Sequence, residues 1–303
     1  MTPRATDWLL ATLIGLLAGS GAVTLTSGST SATWLFVLHG TAGFLLLVIV
    51  VVKLRRVGPR VLAVRHWERR TAGGLVTTLL VGMALLSGWI WSNGGDRVLL
   101  GLNLLNWHIA LGFALSLAVV MHAMLRAKPL RQPDIVNRRQ FLLFAGSAAT
   151  AGMAWRLQRP SAAVLGWRGA RRRWTGSYEQ GSLQGNAFPS SSWVADRPRS
   201  LDTATYRLQV RGLVTRPLSL PATLLQGGDE MEATLDCTGG FYSTQHWHGM
   251  TLARLLQLAQ PLPGATHVRI ISCTGYRWSF PLAEAGTLLL AVGVGNEALG
   301  HLH

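Results

Sequence analysis

The sequence is short of charge, and shorter still of acids: 14% of its 303 residues are charged, with 13 Asp and Glu against 28 Lys and Arg. It has two cysteines, which allow one disulfide at most, and connectivity cannot be read from sequence. No internal repeat and no low-complexity tract is evident. The formal charge of +15 would suit nucleic acid if Lys and Arg were scattered over a soluble, aromatic-interleaved face. They cluster between long apolar runs instead, which excludes that partner and points to membrane topology.

Four apolar segments, roughly 8–25, 33–52, 73–92 and 104–125, reach the length that crosses a bilayer, about 20 residues at about 1.5 Å each. The stretch from Lys53 to Arg70 carries seven basic residues against Glu68. The stretch after Met124 carries Arg126, Lys128, Arg131, Arg138 and Arg139 against Asp134. Both should be cytoplasmic by the positive-inside rule. The loops at 26–32 and 93–103 hold only Asp96 and Arg97 between them and should face outward, with the N-terminus inside.

A fifth apolar stretch, FLLFAGSAATAGMAW at 141–155, is short and follows NRRQFLLFAG. The arginine pair before a Phe-Leu run resembles the twin-arginine signal that exports folded, cofactor-loaded domains. A juxtamembrane basic anchor leading into a surface helix is the plainer alternative. From Trp174 onward, short alternating runs such as TYRLQVRGLV (205–214) and HVRIIS (267–272) indicate strands of a water-soluble α+β domain. TLARLLQLA (251–259) reads as an amphipathic helix and EAGTLLLAVGV (284–294) as an apolar strand or a buried segment, too short and too Gly-rich for a membrane span. The expected division is a four-helix membrane domain over 1–128, a twin-arginine-like segment with a fifth short helix and basic linker over 129–173, and the α+β domain over 174–303.

An ionisable side chain inside a membrane span is expensive, which marks it as functional by default. His39 lies near the outer end of the second span, and His108 and His122 lie near opposite ends of the fourth. The separation 122 − 108 = 14 is close to four helical turns, so both rings project from one face about 21 Å apart. Haem iron accepts axial imidazoles, and two such ligands at that spacing would serve two haems. Depth pairs His39 with His108, each followed four residues later by a glycine, Gly43 and Gly112, where a missing side chain leaves room for a porphyrin. For His122 the one candidate partner is His66, in the cytoplasmic connection, where it could equally be a solvated loop residue. Polar bonding between helices is the structural alternative for the pair. By this spacing, residues 8–126 resemble the four-helix b-type cytochromes that exchange electrons with membrane quinone.

The stretch LDCTGGFYSTQHWHGMTLARLL places Cys237 between a strand and a Gly-Gly turn. A lone thiolate is a soft ligand there, although a single cysteine is ordinarily a small buried hydrophobe. With YRLQVRGLV, ISCTGYRWSF and LLLAVGVGNEALGHLH, this stretch resembles the molybdenum-binding core of the sulfite oxidase family of molybdopterin enzymes over residues 174–303. The resemblance implies Cys237 as the thiolate ligand of molybdenum, beside a pterin dithiolene, with Ser272 presenting a hydroxyl toward the cofactor. His303 matches the first residue of the family's H-G-x-P-x-R segment, and the missing continuation suggests a domain truncated at its C-terminus. Cys273 reads as strand packing, and a Cys237–Cys273 disulfide would exclude the metal. His246 and His248 read as rim histidines on a loop; HWH has no second ligand pair for zinc.

Together the resemblances imply a multi-pass inner-membrane oxidoreductase carrying molybdopterin and one or two b haems, coupled to quinone, its soluble domain outside. The family's sulfite-oxidising members follow the cysteine with basic residues. Here the run Thr238, Gly239, Gly240, Phe241 and Tyr242 is uncharged, which suits a neutral S- or N-oxide, with Tyr242 in the pocket. The alternatives are a sulfite dehydrogenase feeding quinone and a membrane electron carrier without catalytic activity.

Overall fold

The computed structural model describes residues 2–303 apart from 64, 66–68, 127, 130, 132–137, 191–197 and 227, and leaves out the side chains of 60, 62, 69, 70, 125 and 126. His66 therefore lies outside the described residues. The chain forms two compact units, Met1–Tyr178 with Thr238–Gly240, and Glu179–Cys237 with Phe241–His303.

The first unit is helical: α1 (Pro3–Thr24), α2 (Thr33–Leu62), α3 (Arg69–Gly94), α4 (Leu104–Arg126) and α5 (Arg138–Val164). Thr2 starts α1 by accepting the Ala5 N–H at 3.2 Å, with Pro3 in the first turn, where its missing N–H costs nothing. Among the described residues four stretches, Pro3–Thr24, Thr30–Pro59, Thr71–Gly94 and Leu104–Met124, are long and apolar enough to cross a membrane. Between α3 and α4, strands β1 (Val98–Leu99) and β2 (Leu102–Asn103) make a tight hairpin, with Leu100 and Gly101 both at positive φ.

α1 packs on α2, α3 on α4, and α5 on α2. One core joins all five: Leu13 and Ile14 from α1, Leu46 and Ile49 from α2, Val81 and Ala84 from α3, Leu115 from α4 and Ala151 from α5. The fifth helix corrects the sequence reading. It runs 27 residues instead of about 15 and absorbs Arg156 and Arg159, which the reading gave to a linker. Propagating a nucleated helix through good formers such as Arg, Leu and Gln is easy, and fully buried Ala151 fastens it to the core.

The second unit is a mixed sheet domain. β6 (Asp229–Asp236) and β7 (Phe241–Thr251) pair antiparallel over eight residues. The sheet runs β11 (Glu297–Ala298), β10 (Leu289–Val294), β7, β3 (Tyr178–Glu179), with β6 also on β7. Two hairpins stand apart, β4 (Arg207–Val210) with β5 (Leu218–Pro221), and β8 (His267–Ile271) with β9 (Arg277–Pro281). The helix α6 (Leu252–Ala259) is capped by the Thr251 hydroxyl and buries Leu252, Leu255 and Ala259, with Leu252 and Leu255 in one cluster with Met250 and Ala285.

Two further expectations change here. His246 and His248 sit on β7, not on a loop. Strand alternation puts both on one face opposite Glu232 and Glu230, with Nδ1 to carboxylate distances of 3.7 and 3.4 Å, and turns Trp247 inward. Cys273 is exposed, in the turn after β8, instead of packed in a strand. That turn is closed by Ser272 N–H to the Tyr276 carbonyl at 2.8 Å, with Gly275 at φ 89°, so the chain reverses before residue 273 can enter the ladder. Cys237 and Cys273 are both thiols.

Candidate functional site

In the sheet unit, β6 delivers Cys237 at its end, and the Cys237 N–H donates to the Phe241 carbonyl at 2.8 Å. The turn between them depends on Gly240 at φ 91°, a conformation that favours glycine. Cys237 is half-buried and packs against the cluster of Phe188, Phe241 and Val294, with Trp247 and Leu299 beside it. His303 reaches the same neighbourhood. Its Nε2 donates to the Phe188 carbonyl at 3.0 Å and its ring lies 4.3 Å from the Phe188 ring. Asn186 fixes that approach, donating to Glu297 and the Ala298 carbonyl and accepting from Gly300 N–H, all at 2.9 Å. Tyr242 is half-buried on the other face of β7 from Phe241. Ser272 sits exposed in the β8–β9 turn, its hydroxyl 2.8 Å from that of Thr274. The fold thus groups Cys237 and His303 around Phe188.

Two observations bear on a pterin-borne metal. Cys237 offers one soft thiolate donor where a dithiolene would bring the remaining sulfur. The other is Gln245, on the same face of β7 as Phe241 and Ser243 and 1% exposed. Its Nε2 donates to the Gly181 carbonyl and to Ser243 Oγ at 2.6 and 2.9 Å, while its Oε1 has no partner among the described residues. A buried acceptor left unpaired is costly, and an N–H-rich ring would satisfy it.

The helical unit brings His39 and His108 together, ring centroids 6.2 Å apart and planes nearly perpendicular. Two imidazoles sharing one metal ion, at about 2 Å per metal–nitrogen bond, hold their centroids roughly 6 Å apart. The hydrogen bonds assign the tautomers. His108 Nδ1 faces the Ala84 carbonyl at 2.9 Å, which can only accept, so Nδ1 carries the proton and Nε2 the lone pair. On the other side, Ser20 Oγ donates to the Leu17 carbonyl at 3.2 Å and accepts from His39 Nδ1 at 3.0 Å, leaving His39 Nε2 in the same state. Histidine ligands ordinarily pass their second N–H to such a partner. Gly43 and Gly112 have no atom within 4 Å of where a Cβ would stand, so both helices leave open space one turn inward of the rings. The donor set and the space fit a haem. His122 is half-buried on α4, 14 residues beyond His108.

The sequence reading missed Ser20, Gly21, Ser87, Gly88 and Gln245. A Cβ at Gly21 would lie 3.3 Å from His39 Cε1, and one at Gly88 only 2.9 Å from His108 Cε1. Each histidine therefore rests on a Ser-Gly step of the preceding helix. The chain does hold an internal repeat, contrary to the expectation above: the offsets are 87 − 20 = 67 and 88 − 21 = 67 for the Ser-Gly steps, and 108 − 39 = 69 and 112 − 43 = 69 for H-x-x-x-G-F. A serine in each apolar span, one helix before each histidine, was the available signal.

No curated protein matches the chain. Residues 194–303, which contain Cys237, Tyr242, Gln245, Ser272 and His303, match the family model of the oxidoreductase molybdopterin binding domain.

Proposed function

We propose that this chain is a membrane-bound molybdenum oxidoreductase that exchanges electrons with the quinone pool through haem b and reduces a sulfoxide or a similar S- or N-oxide. The match at residues 194–303 makes the oxidoreductase reading the natural one, and the convergence of His39 and His108 is the observation that carries the coupling to the membrane. His39 and His108 would hold the haem through Nε2, and Cys237 would hold molybdenum. When bound, these groups supply electron exchange and oxygen-atom transfer respectively. The protein's part is positional. Ser20 and the Ala84 carbonyl orient the two imidazoles, Gly43 and Gly112 leave the space, and the Phe241 carbonyl fixes the backbone of Cys237. The uncharged run after Cys237 supports a neutral substrate over sulfite.

The fifth helix supports an outward sheet unit. Trp8 Nε1 donates to the Lys128 carbonyl at 2.9 Å, so the start of α1 and the segment after α4 share one side. From there α5, about 40 Å long over its 27 residues, passes Trp155, which lies against Gly40 beside His39 near the opposite end of α2, and continues to Val164. That length exceeds the roughly 30 Å hydrocarbon core, and the arginine pair stands at the helix start.

Purified full-length protein tests the reading. Cys237→Ser should lose molybdenum-dependent sulfoxide reduction by a reduced viologen dye and keep the dithionite-reduced b-type spectrum. His39→Ala and His108→Ala should each lose a spectral component and keep molybdenum and pterin. His122→Ala counts the haems: a second component lost means two. Protein without molybdenum or pterin, or an unchanged spectrum in both histidine variants, would remove the corresponding half of the proposal.

A further inference from the structure

The segment that follows α5 roofs the outward end of the His39–His108 pair. Trp174 meets Phe36 edge-on at 5.3 Å, and Phe36 stands 40 − 36 = 4 residues, one turn, outward of Gly40. Arg172 lies beside it, after a 3-10 turn at Arg168–Arg171. Its guanidinium donates to Ser92 Oγ at 3.2 Å and to Gln158 Oε1 at 3.4 Å, and sits 5.5 Å from the centre of the Trp155 ring. Each neighbour leads back to a histidine. Ser92 is 92 − 88 = 4 residues beyond Gly88, the residue under His108, and the Trp155 indole fills the place of a Cβ on Gly40, next to His39. One cation therefore touches the outward neighbours of both rings.

Its partners do not balance its charge. Among the described residues, the side-chain acceptors of Arg172 are a hydroxyl and an amide, both neutral. The nearby charged group is a second cation: Arg159 donates from Nε to the Ala170 carbonyl at 3.1 Å and from Nη2 to the Arg172 carbonyl at 3.2 Å. Burial pushes the Arg172 pKa below the usual guanidinium range; Tyr178 opposes it, and Arg159 adds a smaller push in the same direction as burial. Asp96, the acid of this corner, acts on Tyr178 and is not among the groups that move Arg172. A partly buried guanidinium has five N–H donors, and surroundings without an anion leave it poorly compensated.

We propose that Arg172 anchors a carboxylate of the group held between His39 and His108, a haem propionate. The inference rests on the haem reading above. Guanidinium and carboxylate match in charge and in two-pronged geometry, and Arg172 is the cation that touches the outward neighbours of both rings. A phospholipid headgroup offers the same anionic oxygens from another source.

The test uses the full-length chain, stripped and reloaded with haem b or with its dimethyl ester, whose propionates are blocked. Haem transfer to excess apomyoglobin is timed in discs of zwitterionic lipid. Arg172→Gln should release haem b roughly tenfold faster or more, the size expected for one charge-assisted hydrogen bond, and Arg172→Lys should recover most of the difference. With the dimethyl ester the three proteins should release at one rate. Equal acceleration with the ester, or none with haem b, overturns the assignment and leaves Arg172 a structural residue. Acceleration confined to discs containing anionic lipid overturns it in favour of a phosphate. Should Arg172→Gln fail to insert, the comparison of Arg172→Lys with the unmodified chain gives the same contrast at smaller amplitude. If the unmodified protein binds no haem, or His39→Ala keeps its full spectrum, the haem reading itself has failed and this inference falls with it.

Discussion

The helical unit and the sheet unit each bury an aliphatic core, and they differ in what lies outside it. In the helical unit Ser20, Ser87, Thr6 and Asn93 are inside, while Leu79, Phe113 and Leu117 are 63%, 67% and 64% exposed. In the sheet unit Met250, Leu252 and Leu255 are inside, while Glu232 and His246 are outside. Such apolar exposure would be an aggregation liability in water; against lipid it has no cost, and interior space is freed for the few polar side chains that do something. The difference teaches where to look for chemistry. In the helices the buried polar atoms are the signal. In the sheet unit the one thiol beside an aromatic cluster, and the unpaired Gln245 carbonyl, stand out against an ordinary core.

The largest effect should come from reversing that economy at the histidine pair. Gly88→Leu sets a side chain into the His108 ring, whose Cε1 is 2.9 Å from the new Cβ, and should abolish the low-spin haem spectrum. Gly112→Leu meets no protein atom within 4 Å, so the protein should insert normally and fail only to take up haem. A full reduced spectrum in Gly88→Leu would break the comparison at its centre.

An intermediate effect separates the two solvents. Leu255→Ala opens a cavity in the sheet unit and should cost about 2–5 kcal/mol in its unfolding, whereas Leu117→Ala on the lipid side should stay within about 0.5 kcal/mol. Denaturant titration of the intact protein in detergent, followed by near-UV circular dichroism, distinguishes them. Equal losses would show that Leu117 is packed against protein.

The smallest effect is a pH dependence of the sheet unit. The Asp229 carboxylate accepts from Thr251 N–H and Oγ at 2.8 and 2.9 Å, and these bonds, with Arg254 adding less, hold its pKa below the usual carboxylate value. A depressed pKa means the contribution is present above the unfolded pKa, about 3.9, and is lost as pH falls through the lower folded value. Asp229→Asn should therefore lower stability at neutral pH slightly and flatten the acid limb of the unfolding curve. An unchanged acid limb would show that the bonds to Thr251 do not persist in solution.

Much of the fold was legible. The four apolar stretches, the amphipathic helix at 251–259 and the strands around 207, 267 and 289 announced themselves by length and period, which are local properties. The true length of α5 was not, because past Trp155 the sequence changes from apolar to basic while the backbone continues on helix propensity and contact with α2. The HWH strand was misread for a related reason: two polar residues flanking one aromatic look like a loop until β6 supplies the glutamates opposite. Cys273 lies in an apolar-looking run that a Thr-Gly turn cuts short.

By itself, the sequence determined that the first half is made of helices fit for lipid, that a cysteine follows a strand and precedes a glycine turn, and that two histidines share an H-x-x-x-G spacing. Each follows from the order of residues along one element. Only the tertiary structure decided that His39 faces His108 at 6.2 Å, that Ser-Gly steps on the neighbouring helices seat them, that His303 joins Cys237 through Phe188, and that Arg172 overlies the pair with neutral partners. These are relations between residues 14 to 133 positions apart, set by which helix faces can pack and which strands can pair, and side-chain periodicity within one segment holds no information about the segment that will lie against it.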